Sequence, residues 1–405
     1  MEEFFASCPR GLEHLLAEDL TAAGASEIEE TAGGVHFSGE WPVCYRANLD
    51  SRIATRVLWR VARGPYGSED DVYRLALETP WPSWFLTRQT IRVDVTAQKS
   101  PLRSIEFITL RIKDAVCDRF RRDSGSRPSV DTRQPDVRIQ AFLSHNECSL
   151  YVDTSGAPLH QRGFRQKTVD APLKENLAAG ILRLSGWQPG VPLLDPMCGS
   201  GTFLLEAAQM ALGRAPGARR EFAFQRLRQF QPELWQGLLE RARAGERAVT
   251  EMALFGSDIS PVAVRATLAN LDRAGLLPAV RLAAGDLLEI EAPAASGIMV
   301  SNPPYGERVS DDDELARFYP LLGFLPPARQ RPEASFRRLD MLPDQRRYAS
   351  AQDGAVDTEP EDAPVQRRPG VPALRVPHGR RQQPPLTDRC GRDSIARRLH
   401  STMPR

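Results

Sequence analysis

The sequence of 405 residues predicts an α+β amino-terminal half followed by an α/β half with a parallel, doubly wound sheet. Up to about residue 155, stripes of apolar residues at helical spacing are interspersed with short runs in which every second residue is apolar. From Pro189 onward the order becomes strand, glycine turn, helix, strand, acid and helix. In the last 82 residues, 324–405, this periodicity is lost and 28 residues are Arg or Pro, so a packed domain is not expected there.

The composition narrows the class of protein. The 53 basic and 52 acidic side chains nearly cancel, and 41% hydrophobic residues suffice for buried cores, which excludes wholesale disorder. At about 100–200 residues per domain, the length predicts two to four domains. The sequence has no apolar run near the roughly 20 residues that cross a bilayer, and its six cysteines form no CxxC pair. We therefore expect a cytoplasmic protein without a membrane segment, a metal site or a disulfide framework.

The first segment, residues 1–69, is predicted to be a compact α+β domain. Leucines at helical spacing from Leu12 to Leu20 indicate a helix, and Gly24 is suited to end it. The further elements expected in this segment are two short strands and a second helix, at 27–30, 35–37 and 43–59. These elements specify no function.

Residues 70–155 repeat the α+β pattern with a local excess of positive charge. Strands are expected around 91–95, 137–143 and 149–152, with a helix whose apolar stripe runs from Ile108 to Phe120. Between 88 and 138 there are twelve Lys or Arg residues against seven Asp or Glu residues. This cluster has two interpretations. It is either a solvated helix end, where cations suit the helix dipole, or a face that binds RNA phosphates.

The most informative motif is VPLLDPMCGSGTFLLEAA, at 191–208. A short apolar strand ends in Asp195, Gly199 and Gly201 form a tight turn, and Thr202 begins an apolar helix. The turn lacks both the dinucleotide pattern GxGxxG and the P-loop ending, which disfavours a pyrophosphate ligand. An acid at a strand end beside bare backbone suits a ligand with an ammonium group and a carboxylate, such as the methionine end of S-adenosylmethionine.

Two later acids also follow apolar strands. Asp258 comes after the strand 253–256 and is placed to accept both hydroxyls of a ribose. Asp286 comes after the strand 280–284 and is placed to meet the amino group of an adenine. Each acid alone is better explained as a helix cap or a surface charge, but three in this order favour cofactor binding.

The fourth motif, GIMVSNPPYGER at 297–308, is a strand that ends in Asn302, Pro303, Pro304 and Tyr305. The prolines fix the loop, so that the Asn302 amide oxygen and the Pro303 carbonyl can accept both hydrogens of an exocyclic amine. Tyr305 can stack on an unpaired base. A proline turn with an asparagine cap is the common explanation for NPP alone, but it becomes improbable when the motif follows the strand, glycine turn and helix described above.

These motifs resemble those of the THUMP-domain RNA methyltransferases, specifically the RlmL half of the RlmK/L large-subunit ribosomal RNA guanine-N2 methyltransferases. The resemblance covers about 1–323 and includes FFASCPRGLEHLLAEDL, GGVHFSG and LHQRGFRQKTVDAPLKENLAAGIL in addition to the two motifs above. It implies an N-terminal ferredoxin-like and THUMP RNA-binding region, then an incomplete Rossmann-like class I methyltransferase domain. The implied domains are the ferredoxin-like, THUMP and methyltransferase domains, at 1–69, 70–155 and 156–323. The composition assigns 324–405 to an Arg/Pro-rich tail that is expected to be disordered or out of frame.

The resemblance also implies S-adenosylmethionine as cofactor and 23S ribosomal RNA, in a pre-50S particle, as partner. The implied catalytic residues are Asn302, Pro303, Pro304 and Tyr305. The implied cofactor-binding residues are Asp195, Pro196, Cys198, Gly199, Gly201, Phe203, Asp258, Asp286 and Asn302. The implied RNA-binding residues are Lys113, Arg119, Arg121, Arg122, Arg127, Arg162 and Arg165. The Arg-rich, helical stretch 213–250 matches an insertion that the family carries before its second strand.

The tail departs from the family after residue 323. A class I methyltransferase sheet needs about three more strands there, and the tail presents no apolar strand pattern. A reading-frame shift near 323 is one explanation, because GC-rich triplets read out of frame encode mostly Arg, Pro, Ala and Gly. Resequencing the gene tests it. Besides a ribosomal RNA enzyme, the sequence is compatible with a non-catalytic RNA-binding remnant and with a methyltransferase that acts on tRNA guanine or DNA adenine.

Overall fold

A computed structural model describes residues 1–164, 173–287, 289 and 292–302 of the protein, together with the backbone strand 335–339. The described chain forms two β-sheets. The first has seven strands in the order β2-β3-β1-β4-β7-β6-β5. Its strands are β1 (Glu2–Ser7), β2 (Ser26–Thr31), β3 (Gly34–Gly39), β4 (Arg56–Pro65), β5 (Ile91–Ala97), β6 (Val137–Leu143) and β7 (Glu147–Asp153).

One continuous sheet connects the two N-terminal segments that the sequence separates. The ten-residue strand β4 pairs antiparallel with β1 on one side and with β7 on the other. Only β5 and β6 pair in parallel within this sheet. The helices on it are α1 (Glu13–Ala22), α2 (Trp41–Asp50), α3 (Glu69–Glu78) and α4 (Ile105–Ser124). The α+β expectation for both segments is therefore confirmed.

The second helix is shorter than the sequence predicts. The predicted helix runs to about residue 59, but α2 ends at Asp50 and β4 begins at Arg56. The Ser51 hydroxyl accepts hydrogen bonds from the amides of Ile53 and Ala54, at 3.3 and 3.0 Å, and this local turn competes with the helix.

The second sheet has five parallel strands in the order β10-β9-β8-β11-β12. They are β8 (Leu193–Asp195), β9 (Leu254–Asp258), β10 (Val280–Ala284), β11 (Ser296–Val300) and β12 (Ser335–Leu339). Its helices are α5 (Glu175–Leu184), α6 (Thr202–Ala211) and α8 (Pro261–Arg273). This is the predicted Rossmann-like arrangement.

Strand β12 corrects the expectation that no strand follows residue 323. It pairs with β11 from Ser296 opposite Ser335 to Val300 opposite Leu339. Strand pairing uses backbone groups that every residue carries except proline, so a segment with two adjacent arginines can join a sheet without an apolar alternation. The remainder of the predicted tail lies outside the described residues.

The predicted insertion before the second strand of this sheet packs against the first sheet's helices. It contains α7 (Pro232–Ala244). The Tyr45 ring of α2 stacks on Phe224 with centroids 4.5 Å apart and meets Trp235 edge to face at 6.1 Å. The backbone of the insertion also lies close to α2, because a Cβ on Gly217 would lie 2.8 Å from the Leu49 Cα.

None of the helices in the described ranges is long and apolar enough to cross a membrane.

Candidate cofactor and substrate site

The carboxyl ends of the parallel strands bring the predicted site residues to one edge of the second sheet. Asp195 ends β8 at the centre of the described sheet, and Asp258 ends the neighbouring β9. Asn302 follows β11, the neighbour of β8 on its other side, and Asp286 follows β10. Crevices outside the carboxyl ends of such strands are where open α/β sheets bind their ligands.

Asp195 carries a buried carboxylate with an unused acceptor. It is 1% exposed, and among the described residues its Oδ1 has no hydrogen-bond partner. The pKa of Asp195 is raised to about 8, mainly by burial; a hydrogen bond from the Met197 backbone opposes this shift, and the negative charge of Asp258 adds to it. A carboxyl group in this state is suited to bind a cationic ligand, which would restore its charge.

The glycine turn is held from two sides. The Gly199 amide donates to Asp258 Oδ2 at 2.9 Å, and the Gly199 carbonyl accepts from Thr267 Oγ1 at 2.9 Å. Asn270 Nδ2 donates to the Ser200 carbonyl at 3.0 Å. A Cβ on Gly199 would have no heavy atom of the described residues within 4 Å, so the backbone there is accessible. Helix α8 therefore holds a turn whose backbone remains accessible to a ligand.

We expect Gly201→Ala to destabilise the protein more than Gly199→Ala. Both glycines have a positive φ, +80° and +54°, but a Cβ on Gly201 would lie 2.6 Å from Thr267 Cγ2. A left-handed alanine costs about 1–2 kcal/mol at either position, and only position 201 adds a clash. Thermal unfolding of both variants measures the difference. Equal decreases in melting temperature would contradict the predicted clash.

Asp258 is oriented by two backbone amides. Its Oδ2 accepts from Gly199, and its Oδ1 accepts from Ser260 at 2.9 Å. A carboxylate has about four lone-pair sites, so acceptor capacity remains for hydroxyl groups. Ile259, directly after it, is 71% exposed, and Val262, in the first turn of α8, is 65% exposed. The sequence predictions omit this apolar surface, although an apolar residue immediately after the strand-end acid could have indicated it.

Three predicted cofactor contacts are buried. Phe203 and Cys198 belong to the apolar core of the second sheet, and the Pro196 carbonyl accepts from Ser257 Oγ at 3.3 Å. Burial raises the pKa of the Cys198 thiol to about 12, so the thiol stays protonated at neutral pH. Contact of these residues with a cofactor stays a prediction. The predicted Pro303, Pro304, Tyr305 and Arg165 lie outside the described residues.

Two of the predicted RNA-binding residues converge. Lys113 of α4 and Arg127 line one cleft of about 370 Å³ together with Cys117, Ser129 and Val130. Lys113 also pairs with Asp114. No carboxylate in the described ranges pairs with Arg127. The cleft therefore presents positive charge beside an exposed apolar side chain, since Val130 is half exposed.

Arg121 and Arg122 are more than half exposed, and each pairs with a carboxylate of the same helix. Arg121 Nη1 lies 2.8 Å from Asp118 Oδ1, and Arg122 Nε lies 3.1 Å from Asp123 Oδ1. Surface pairs of this kind contribute about 0–1 kcal/mol, so either arginine can exchange its partner for a phosphate at little cost. Their predicted RNA contact stays a prediction.

Arg119 instead closes the end of another helix. Its Nη1 donates to the carbonyls of Leu77, Glu78 and Thr79, at 3.2, 2.6 and 3.2 Å, where α3 ends. Arg119 is therefore a cation at a helix end, as one of the two interpretations has it, but the helix end is that of α3 and not that of α4, which carries the residue.

The prediction that Arg162 contacts RNA is wrong. Its side chain is 2% exposed, and its Nε lies 3.2 Å from Glu206 Oε1. Glu206 is the single acid within the otherwise uncharged helix α6, and a buried carboxylate needs a buried cation. The sequence shows that acid but not which of the many arginines pairs with it.

The comparisons with known proteins agree with this architecture. The model of the RlmL ferredoxin-like domain matches residues 3–58, that of the THUMP domain matches 66–153, and that of the RMKL-like methyltransferase domain matches 162–341. The last match extends beyond residue 323, where the sequence resemblance was expected to stop, and it includes β12.

Curated relatives match over most of this chain. The ribosomal RNA large subunit methyltransferase K/L of Aeromonas salmonicida (strain A449) is 40% identical over 80% of this chain and 48% of its own length. The chain thus spans about half the length of the K/L relatives. The "Putative RNA methyltransferase slr0064" of Synechocystis sp. (strain ATCC 27184 / PCC 6803 / Kazusa) is 39% identical over 79% of this chain and 84% of its own length.

A solved structure shares the fold over nearly the same range. The crystal structure of SMU.472, solved in complex with SAH (S-adenosylhomocysteine), superposes with a TM-score of 0.74 and 27% identity. The superposition covers 83% of this chain and 88% of SMU.472. With the domain matches, the relative that is covered over most of its length and the shared fold, the chain belongs to the RlmL-type THUMP-domain RNA methyltransferases.

Proposed function

We propose that the protein transfers a methyl group from S-adenosylmethionine to the exocyclic N2 amine of a guanine in 23S ribosomal RNA, in the cytoplasm, during maturation of the large subunit. The observation that carries the proposal is the buried Asp195 carboxyl group with its unused Oδ1 at the centre of the sheet edge, beside the glycine turn. The K/L relatives are named as ribosomal RNA large subunit methyltransferases, which supports the choice of RNA.

The residues present fit the proposed cofactor. The ammonium group of its methionine part would bind the Asp195 carboxylate, and its carboxylate would lie along the open backbone at Gly199. The ribose hydroxyls would donate to Asp258, which two backbone amides hold in place. The exposed Ile259 would cover one side of the adenine ring. When bound, the cofactor supplies an electrophilic methyl group on a positively charged sulfur.

Asn302 would position the substrate amine. Its amide oxygen accepts one amine hydrogen, and by family resemblance the Pro303 carbonyl accepts the other. Holding both hydrogens out of the ring plane reduces delocalisation of the nitrogen lone pair and directs it at the methyl group. With the cofactor bound, this nitrogen would take the methyl group as the cofactor's carbon–sulfur bond breaks, and the amine would then lose a proton to solvent. Such a base must be unpaired, because the duplex buries its Watson–Crick edge.

The function is tested by cofactor binding and by mapping of the product. S-adenosylhomocysteine is titrated into the full chain by calorimetry, and 23S ribosomal RNA from a deletion strain is methylated in vitro and analysed by nucleoside mass spectrometry. We expect micromolar binding and N2-methylguanosine at one position. If the chain binds RNA but does not bind S-adenosylhomocysteine, it is a non-catalytic RNA-binding protein instead. Methylation of guanine in tRNA, or of adenine in DNA, would keep the enzyme class but replace 23S ribosomal RNA as the substrate.

We expect Arg127→Ala to weaken RNA binding in a salt-dependent manner. Arg127 has no carboxylate partner in the described ranges and shares its cleft with Lys113, so it can contact a phosphate. Loss of one phosphate contact lowers the slope of log affinity against log salt concentration by about 0.7 for single-stranded RNA. Arg74→Ala is the control, because Arg74 of α3 is exposed, pairs with Asp71 and is not among the residues predicted to bind RNA. An unchanged slope for Arg127→Ala would exclude the cleft from the RNA contact.

A further inference from the structure

A buried ion-pair cluster joins the two halves of the chain at Glu206. The Glu206 side chain is 0% exposed, its Oε2 lies 3.1 Å from Arg52 Nη1, and its Oε1 lies 3.2 Å from Arg162 Nε. Arg162 Nη2 also donates to the Arg52 carbonyl at 2.9 Å. Two guanidinium groups therefore share one carboxylate in an interior where an unpaired charge is costly.

Glu206 lies on the helix that follows the cofactor turn. Helix α6 begins at Thr202, immediately after Gly201, and Glu206 is four residues further along. The rise of about 1.5 Å per residue puts it about 6 Å along the axis from the turn. Glu206 is the single charged side chain of α6, so its two ion pairs add a charged contact to the apolar packing that holds this helix.

Its two partners are held by other parts of the chain. Arg52 lies between α2 and β4 in the N-terminal half, and its amide donates to Asp19 Oδ2 at 3.1 Å. Arg162 Nη1 donates to the Leu159 carbonyl at 2.5 Å. The carboxylate of α6 is thus clamped between the RNA-binding half and the segment that enters the catalytic domain.

We propose that Glu206 is a positioning residue for the cofactor turn: its ion pairs with Arg52 and Arg162 set the position of the Gly199–Gly201 turn relative to the RNA-binding half. The inference rests on the proposed cofactor function of that turn. A displacement of α6 moves the turn with it. The ion pair between Arg183 of α5 and Glu18 of α1, at 2.5 Å, also joins the halves but contains no residue of α6 and no partner of Glu206.

The test compares Glu206→Gln with Glu18→Gln in the full chain without RNA. Both variants make the same change of side chain, and each removes an ion pair between the halves. We expect Glu206→Gln to weaken S-adenosylhomocysteine binding at least about fivefold, because small displacements of binding groups have large effects. Glu18→Gln should stay within about twofold of the parent protein. If the Glu206 ion pairs only join the halves, both variants should bind S-adenosylhomocysteine equally well.

Arg162→Met covers the case in which Glu206→Gln does not fold. This variant leaves Glu206 paired with Arg52, and we expect the same direction of change with a smaller loss of binding. Unchanged S-adenosylhomocysteine affinity in a folded Glu206→Gln or Arg162→Met protein would overturn the inference. No binding by the parent protein would instead overturn the proposed cofactor function, and the inference with it.

Discussion

Replacing Asp195 by asparagine is expected to weaken S-adenosylhomocysteine binding at least about tenfold and, at the same time, to raise the melting temperature of the free protein at alkaline pH. Asparagine keeps the shape of the side chain but cannot form a charge-assisted hydrogen bond with the ligand's ammonium group. Such bonds contribute about 1.5–3 kcal/mol, which corresponds to a loss of at least about tenfold in affinity.

The stability gain follows from the direction of the Asp195 pKa shift. The folded protein raises that pKa from 3.8 to about 8, so the folded state binds the proton more tightly than the unfolded state. Its contribution to stability is therefore fully present below pH 4 and is lost as the pH rises towards 8. Asparagine does not titrate, so the melting temperature of the variant should exceed that of the parent protein by an amount that grows across this range.

Calorimetric scans of both proteins at pH 5, 7 and 9 measure this effect. The difference at pH 9 should be on the order of 5 °C. Taking the difference between the two proteins cancels the pH dependence of the groups that do not interact with Asp195. A constant difference across the series would show that Asp195 is charged in the free protein.

The cofactor edge could be predicted from the sequence because its signals are local. A short apolar strand, an acid and a glycine turn occupy consecutive positions from Leu193 to Gly201. The parallel arrangement then brings the ends of separate strands together without further information. Asp195 and Asp258 are 63 residues apart, yet the rule that ligands bind at the carboxyl ends of parallel strands places them side by side.

The sequence does not predict interactions in which a residue or strand could pair with many alternative partners. Arg162 has the same local pattern whether it contacts a phosphate or the Glu206 carboxylate 44 residues away. The sequence contains 49 arginines, so charge alone could not identify the partner of Glu206. Strand β12 escaped for a related reason, since the pairing of a backbone edge leaves little trace in hydropathy. The continuous first sheet likewise became evident only through the two-sided pairing of β4.

Asn302→Ala is expected to lower the rate of methyl transfer by about 10²–10³-fold while RNA affinity changes little. Asn302 follows β11, whose neighbour β8 carries Asp195, so its amide reaches the same edge as the proposed cofactor. Removing one oriented acceptor or donor from the reacting centre typically costs this much in turnover. Single-turnover methylation of ribosomal RNA measures the rate, and salt-dependent binding of the same RNA measures the affinity.

Ser301→Ala is the matched control for Asn302→Ala, because Ser301 is adjacent to Asn302 and its buried Oγ has no hydrogen-bond partner among the described residues. Removing an unsatisfied buried hydroxyl is close to neutral or stabilising, so this variant should keep its turnover. Asn302→Asp separates two further roles, since a carboxylate can still accept from the amine but cannot donate. More activity in Asn302→Asp than in Asn302→Ala would identify acceptance of the amine hydrogen as the function of Asn302. Full turnover in Asn302→Ala would exclude that role and would assign the orientation of the amine to other residues of the loop.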